Sequence, residues 1–438
     1  MSVIGSAPSN SLLAALMNEE IYQPGPPLSL VDAGLNEALV DSLVCKLLLV
    51  RGRSSGRSIA DHLCLPFGIM EARMQSLRTR SLVAHASNAT LNDYVYALTE
   101  KGTERAQSWF DACAYVGPAP VPLAEYVTSV EAQSIRAESP QREQLERSFA
   151  GISVNPRIFD KLGPAVNSGA GLFLYGEPGN GKTTLAERIA SCFGQAIWLP
   201  HALIVDGQII KLFDPACHRP IEHVETSFLK GNDYDRRWTR IRRPTVIAGG
   251  ELTMELLEIR HQAAKNFSEA PLQLKSNCGV LLIDDFGRQR MDPTELLNRW
   301  IVPLEKGYDF LTLSSGQTIQ VPFDQMIIFS TNLNPRDLVD EAFLRRLAYK
   351  VHVKDPDPDE FRQLFKISAL SMQIDYNESA VEHLIQEHYV KAKRGFRRCH
   401  GRDLLRHLRS YCSYFGLPIE MKPEYLDIVV DTYFTEVD

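Results

Sequence analysis

The residues of this chain best placed to do chemistry form one run, Gly176-Glu177-Pro178-Gly179-Asn180-Gly181-Lys182-Thr183-Thr184. It fits G-x-x-x-x-G-K-[ST], a phosphate cradle. The glycines let the backbone turn so that successive N–H groups point at one anion. Lys182 is expected to reach the β- and γ-phosphates of a nucleotide and Thr183 to offer its hydroxyl to Mg²⁺. The positive end of the following helix adds to the attraction. Two elements must hold this loop: Leu172 to Tyr175 reads as a buried strand entering it, and Leu185 to Cys192 as a helix leaving it. A glycine-rich turn with a solvated lysine would not explain why strand, loop and helix coincide.

A phosphate cradle alone does not hydrolyse a nucleotide; a second strand must present carboxylates to the metal and to water. Val280-Leu281-Leu282-Ile283 followed by Asp284-Asp285 has the form of a buried parallel strand whose carboxyl end faces the site. Asp284 is expected to hold Mg²⁺ through water, and Asp285 to orient and deprotonate the attacking water. A third aliphatic strand, Met326 to Asn332, also ends in polar residues.

This series resembles the AAA+ ATPases over roughly residues 140 to 430, with Walker A at Gly176 to Thr184, Walker B at Val280 to Asp285 and sensor 1 at Asn332. The resemblance implies an α/β fold: a P-loop core with a parallel sheet and a C-terminal α-helical lid. It also implies ATP and Mg²⁺ as cofactors, hydrolysis to ADP and phosphate, and a homo-oligomeric ring, most often of six. One departure matters. The family's second Walker B acid is usually glutamate, and Asp285 is one methylene shorter, which implies altered water placement rather than lost activity.

In that family an arginine from the neighbouring subunit completes the site, and such a finger is worth about 10³ to 10⁵ in rate. Asp340 to Leu347 matches the segment, with Arg346 the first choice and Arg345 the second; the alternative is a surface helix with two solvated arginines. His400-Gly401-Arg402-Asp403-Leu404-Leu405 resembles sensor 2, placing Arg402 at the start of a helix folded back over the γ-phosphate, with Arg397 and Arg398 as competitors. Tyr308 to Val321 alternates around Ser314-Ser315-Gly316 and reads as a β-hairpin. A hairpin at that place resembles the branch of MoxR-type chaperones, RuvB-type motors and sigma-54 activators, which remodels proteins or moves DNA.

The 438 residues allow two or three domains, and 44% hydrophobic with 23% charged residues is an ordinary soluble composition. A net charge of -7 gives no global pull toward nucleic acid, so polyanion binding would need a local patch. The eight cysteines are scattered without C-x-x-C, as expected of reduced thiols. Cys217-His218 and Cys399-His400 would each give half a zinc site, but adjacent residues rarely ligate one ion, so no metal besides Mg²⁺ is expected. The first residues lack the basic start of a signal peptide, and the Leu12 to Met17 run is too short to span a bilayer. A cytoplasmic protein without membrane insertion is expected.

Taken in order, residues 1–28 form a loosely held lead-in. Residues 29–116 carry helices over Leu35 to Val50, Ser58 to Leu63 and Ile69 to Leu77, a hairpin of Leu82 to Ala86 with Tyr94 to Thr99, and a further helix from Thr99. This resembles a winged helix-turn-helix domain, whose third helix often lies in the DNA major groove. Here that helix offers Arg73, Gln75, Arg78 and Arg80 with Glu71 against them, and both DNA binding and protein docking stay open, docking favoured. Gly117 to Pro122 is expected to be a stiff linker at a domain boundary, with helices filling the rest of 117–150. The core is assigned to 151–353, with adenine expected near Ile152 to Leu162, and the lid to 354–438. Ala196 to Asn277 is longer than a strand–helix connection needs; it contains a hairpin at Ile204 to Ile210 and the basic run Arg236 to Arg243 around Trp238. That run would line a pore and grip phosphates or stack on bases, or else be a strand whose arginines pair with Asp233 and Asp235. The expected function is ATP-driven remodelling of a macromolecular target, protein favoured; a DNA-binding regulator or motor and a slow, nucleotide-gated assembly are the alternatives.

Overall fold

The structure, a computed structural model, describes residues 22–88, 93–151, 158–169, 171–194, 196–221, 234–262, 266–338, 344–345 and 347–434. The N-terminal elements are α1 Glu37–Arg51, β1 Arg53–Ser55, α2 Gly56–Leu63, α3 Phe67–Thr79, β2 Val83–Asn88, β3 Tyr94–Leu98 and α4 Glu100–Ala112. Side-chain caps start three of the helices: Asn36 accepts from Leu39 N, Ser55 from Ser58 N and Thr99 from Gly102 N. The three strands form an antiparallel sheet in the order β1-β3-β2. α4 lies so close to this sheet that a Cβ at Gly102 would sit 1.8 Å from the Leu82 carbonyl oxygen, so only glycine fits there.

Arg73, expected on a DNA-reading face, is instead buried and donates from Nε and Nη2 to the two oxygens of Asp41, each at 3.0 Å. Arg80 pairs with the same carboxylate. The Arg73–Asp41 pair ties α3 to α1 and takes Arg73 off the surface; Gln75, Arg78 and Arg80 remain exposed.

Residues 117–122, expected as a stiff linker, pack against the rest of the molecule. Ala119 and Val121 are buried, and Ala119 N donates to Leu63 O at 2.8 Å. Val121–Pro122 forms β4, which is followed by α5 Leu123–Ala132, α6 Arg142–Ser148, α7 Phe159–Ser168, β5 Leu172–Tyr175 and α8 Lys182–Ala190. The insert supplies β6 Ile197–Pro200, β7 Ala202–Val205, β8 Gln208–Lys211 and β9 Trp238–Ile241, and β4 pairs in parallel with β7. Ala202 and Ile209 from the expected β7–β8 hairpin pack into the N-terminal core. The pore reading of the basic run fails for its central residues. Trp238 is buried, buried Arg237 pairs with Asp235 and donates to the carbonyls of Ala33 and Pro120, and Arg243 pairs with Glu138. Of the alternative, a solvated strand paired with Asp233 and Asp235, the Arg237–Asp235 pair is present but buried, Arg236 and Arg243 pair instead with Asp61 and Glu138, and Asp233 lies outside the described residues.

The core continues with β10 Thr245–Ala248, β11 Arg260–Gln262, β12 Phe267–Glu269, α9 Leu272–Lys275, β13 Val280–Ile283, α10 Pro293–Lys306, β14 Tyr308–Thr312, β15 Thr318–Pro322, β16 Met326–Thr331, α11 Pro335–Leu338 and β17 Tyr349–His352. The central sheet is parallel, in the order β10-β13-β16-β5-β17. Its central strands β13, β16 and β5 are almost wholly apolar and buried because both faces are covered, whereas the edge strands β10 and β17 carry exposed residues. Leu172, Leu174, Val280, Leu282 and Ile328 face one cluster with residues of α6, α7 and α8, whereas Phe173, Leu281, Ile283, Ile327 and Phe329 face another with α10. β14 and β15 pair as the expected hairpin. The C-terminal domain is α12 Pro358–Ser371, α13 Glu378–Ile385 running into a π turn at Gln386–Val390, α14 His400–Phe415 and α15 Pro423–Tyr433, around its own core. Among the described residues no helix is long and apolar enough to cross a membrane.

Candidate functional site

The three neighbouring strands β13, β16 and β5 end at the same edge of the sheet, which brings Asp284-Asp285, Asn332 and the glycine-rich loop together. A crevice at the carboxyl ends of parallel strands is where such sheets bind ligands. Gly176, Gly179 and Gly181 have φ of +148°, +82° and +79°, so the loop relies on conformations that side-chain-bearing residues avoid. A Cβ at Gly176 would also come within 2.3 Å of the Val353 carbonyl oxygen.

Lys182 Nζ donates to the carbonyls of Gly176 at 3.0 Å and Glu177 at 3.1 Å and to Asn332 Oδ1 at 2.6 Å. Burial pushes its pKa down, against the upward pull of Asp284, Asp285 and Glu177. Thr183 Oγ1 donates to Asp284 Oδ2 at 2.7 Å. Asn332 uses its other amide atom as well, Nδ2 donating to Asp285 Oδ1 at 3.1 Å. Asp285 has φ +50°, a left-handed conformation that aspartate tolerates better than most residues. The turn after it is stitched to β16: Phe286 N donates to Ser330 O and Thr331 Oγ1 donates to Phe286 O, both at 2.7 Å.

A cavity of about 1090 Å³ opens above these groups, between core and C-terminal domain. Pro178 and Thr184 lie on its wall with Lys182 and Thr183, and Arg398 and Arg402 face it from the C-terminal side. Arg402, at the start of α14 as expected, is half exposed and paired only locally, Nε to Asp403 Oδ1 at 3.0 Å. Arg398 pairs with Glu360 at 3.3 Å, and burial lowers its pKa. Arg397 instead pairs with Glu177 at 3.2 Å and with Asp355.

A clasp between loop and C-terminal domain was not read from the sequence. Asn180 Nδ2 donates to Asp355 Oδ1 at 2.7 Å, Arg398 N donates to Asn180 Oδ1 at 3.3 Å, and Cys399 N donates to Gly179 O at 3.0 Å. A Cβ at Gly179 would lie 2.6 Å from Cys399 Sγ. The side chains of Glu177 and Asn180, at the variable positions of the motif, therefore hold the neighbouring domain.

The groups present suit a magnesium nucleotide. Gly181 has open space around it, the backbone there is turned to present N–H groups, and a hydroxyl and a carboxylate already meet in the pair expected to hold a hard cation. Arg345 is exposed, while Arg346 and residues 339–343 lie outside the described residues, as do residues 152–157 of the expected adenine segment.

Residues 357–432 match a family described as Domain of unknown function (DUF8689), which falls within the C-terminal helical domain. No curated protein matches the chain. Among solved structures, NtrX from Brucella abortus is similar at 14% identity and a TM-score of 0.41, over 67% of this chain and 58% of that one. The RuvB Holliday junction branch migration motor of Thermotoga maritima is similar at 13% identity and a TM-score of 0.33, over 60% of this chain and 61% of that one. The chain thus spans less than two thirds of the length of either.

Proposed function

We propose that this chain is a magnesium-dependent ATPase of the AAA+ type that hydrolyses ATP to ADP and phosphate in the cavity between core and lid. The observation that carries this reading is the side-chain relay from Lys182 through Asn332 to Asp285, set beside the Thr183–Asp284 contact. Mg²⁺ would be held by Thr183 and Asp284, and supplies charge neutralisation on the phosphates. Lys182 leaves its carbonyl partners to meet phosphate oxygens. Asn332 fixes the orientation of the Asp285 carboxylate, which accepts the proton of the attacking water. Arg402, with Arg398 beside it, supplies positive charge from the lid side. The exposed Arg345, or Arg346 next to it, serves the site of an adjoining subunit in a homo-oligomeric ring, six-membered on the family resemblance.

The target is a macromolecule, and a protein is favoured over DNA. The winged-helix reading fits the three helices and three-stranded sheet. Arg73, Arg237 and Arg243 serve internal ion pairs and the half-exposed Arg80 shares Asp41 with Arg73, which weakens the cluster of basic groups that a DNA reading needs on one face. The test is to purify an Asp285→Asn chain, which should stay loaded with ATP, and identify what comes with it. ATP-dependent recovery of one protein supports the reading. No nucleotide binding by the wild-type chain, or nucleotide binding unchanged in Lys182→Ala, sinks the ATPase; ATP-dependent recovery of nucleic acid alone transfers it to the DNA alternative.

A further inference from the structure

The C-terminal helical domain carries a second cluster of chemistry-bearing side chains, outside the nucleotide cavity. His383 lies on α13, His388 in the π turn that extends it, and Asp427 on α15. His383 Nε2 is 2.9 and 3.3 Å from the two oxygens of Asp427, and His388 Nε2 is 2.5 Å from Oδ1. Those three atoms all lie within 4.8 Å of one another. Residues five apart stand about 140° apart around an ordinary α-helix, so this spacing does not bring two imidazoles to one carboxylate. The π turn, closed by Lys391 N donating to Gln386 O at 3.1 Å, resets the phase and does so. The same turn seats Tyr389 in the core, with its hydroxyl hydrogen-bonded to His400 Nδ1 at 2.9 Å, so its geometry is anchored from inside the domain.

We propose that His383, His388 and Asp427 bind a divalent transition metal, Zn²⁺ being the best match, which staples α13 to α15. The two imidazole nitrogens are borderline donors that suit Zn²⁺ and suit Mg²⁺ or Ca²⁺ poorly, and the carboxylate oxygen is a donor that Zn²⁺ also accepts. Three protein ligands leave a fourth position for water, and bonds of about 2.0–2.2 Å in a tetrahedron place donor atoms roughly 3.3 Å apart; the two nitrogens, now 2.9 and 2.5 Å from Asp427 Oδ1, would need only to move slightly apart from the carboxylate to admit an ion. All three side chains are part-exposed, so an ion has a path in. The bland reading is a pair of histidine–aspartate hydrogen bonds at the surface. It accounts for each contact singly but not for the convergence of both Nε2 atoms on one carboxylate.

The test uses the full chain, stripped with EDTA and held in excess Mg²⁺ so that hard-cation sites are filled, then titrated with ZnCl₂ by calorimetry. The expected result is one equivalent bound in the micromolar range or tighter, with a raised unfolding temperature. His383→Gln, His388→Gln and Asp427→Asn should each weaken that equivalent by at least about tenfold, while Ca²⁺ gives no such binding. X-ray absorption on the Zn²⁺-loaded wild-type chain reads the ligands even if a variant fails to fold. A sphere of imidazole nitrogen and oxygen supports the assignment. A sulfur-dominated sphere from the cysteines, no binding at micromolar Zn²⁺, or equal affinity in folded variants overturns it.

Discussion

The Lys182 ammonium donates to the side-chain oxygen of Asn332 at 2.6 Å, and through the same amide it is linked to Asp285. On the proposed function, Asn332 thus stands between the group that would meet phosphate and the group that would handle water. Its removal should separate binding from chemistry. Asn332→Ala is expected to bind ATP within a few-fold of wild type and to lose about 10²-fold in turnover, since a misaimed base forfeits most of its catalytic effect. Lys182→Ala should lose binding itself. Fluorescent-nucleotide titration and a phosphate-release assay distinguish the two, and equal turnover in Asn332→Ala would remove the relay from the mechanism.

The left-handed backbone at Asp285 explains why the shorter acid stands where the resemblance leads one to expect glutamate. Aspartate and asparagine accept φ +50° through their short polar side chains, whereas a longer residue meets a cost of about 1–2 kcal/mol. Asp285→Asn should therefore keep its melting temperature and nucleotide affinity while losing turnover. Asp285→Glu should melt lower. A more stable Asp285→Glu chain would show that the backbone does not select the residue.

The parts of this molecule legible in its sequence are those governed by local pattern. Val280 to Ile283 and Met326 to Thr331 stood out because a strand covered on both faces has no polar side to show. Arg53–Ser55 did not, since three polar residues between two helices carry no period. The Asn180–Asp355 clasp joins residues 175 apart, and only the packed lid creates it. The basic run around Trp238 looked like a surface because burial of an arginine depends on what folds over it; Asp235 and two backbone carbonyls do that for Arg237. The meeting of His383 and His388 at Asp427 was not legible because their spacing belongs to no regular helix.

If the site is completed in trans, Arg346→Ala should bind ATP normally and lose about 10³-fold or more in turnover, and Arg345→Ala should lose less. Mixing Arg346→Ala with Asp285→Ala chains should restore part of the activity, because some interfaces then hold one intact Asp285 and one intact arginine. Full activity of Arg346→Ala alone would exclude this finger.

Asp41 holds Arg73 and Arg80 at the junction of α1 and α3 and is itself buried. Asp41→Ala leaves a buried guanidinium without its main partner and should cost about 3–5 kcal/mol in unfolding free energy. Denaturant titration measures that loss. On the docking reading, the wild-type full chain should show no salt-dependent binding to mixed-sequence duplex DNA; steep loss of binding with rising salt would restore the DNA reading.

His400 gives the lid an acid-side weakness. Burial against Tyr389, Tyr433 and Phe434 pushes its pKa down to about 4, and burial does the same to His201 in the insert. In the unfolded chain both imidazoles take up a proton near the ordinary histidine value of about 6.5. Between that value and the folded pKa the unfolded state binds more protons, so stability rises with pH there. The contribution is complete above the unfolded pKa and is lost progressively as pH falls toward the folded one. His400→Gln, which can still accept from the Tyr389 hydroxyl but does not titrate, should melt lower than wild type at pH 7.5 through imperfect packing. The gap should narrow by several degrees by pH 5, because only wild type bears the protonation penalty. Melting curves of the two chains across this range measure the difference, and a constant gap would show that folding does not shift the pKa of His400.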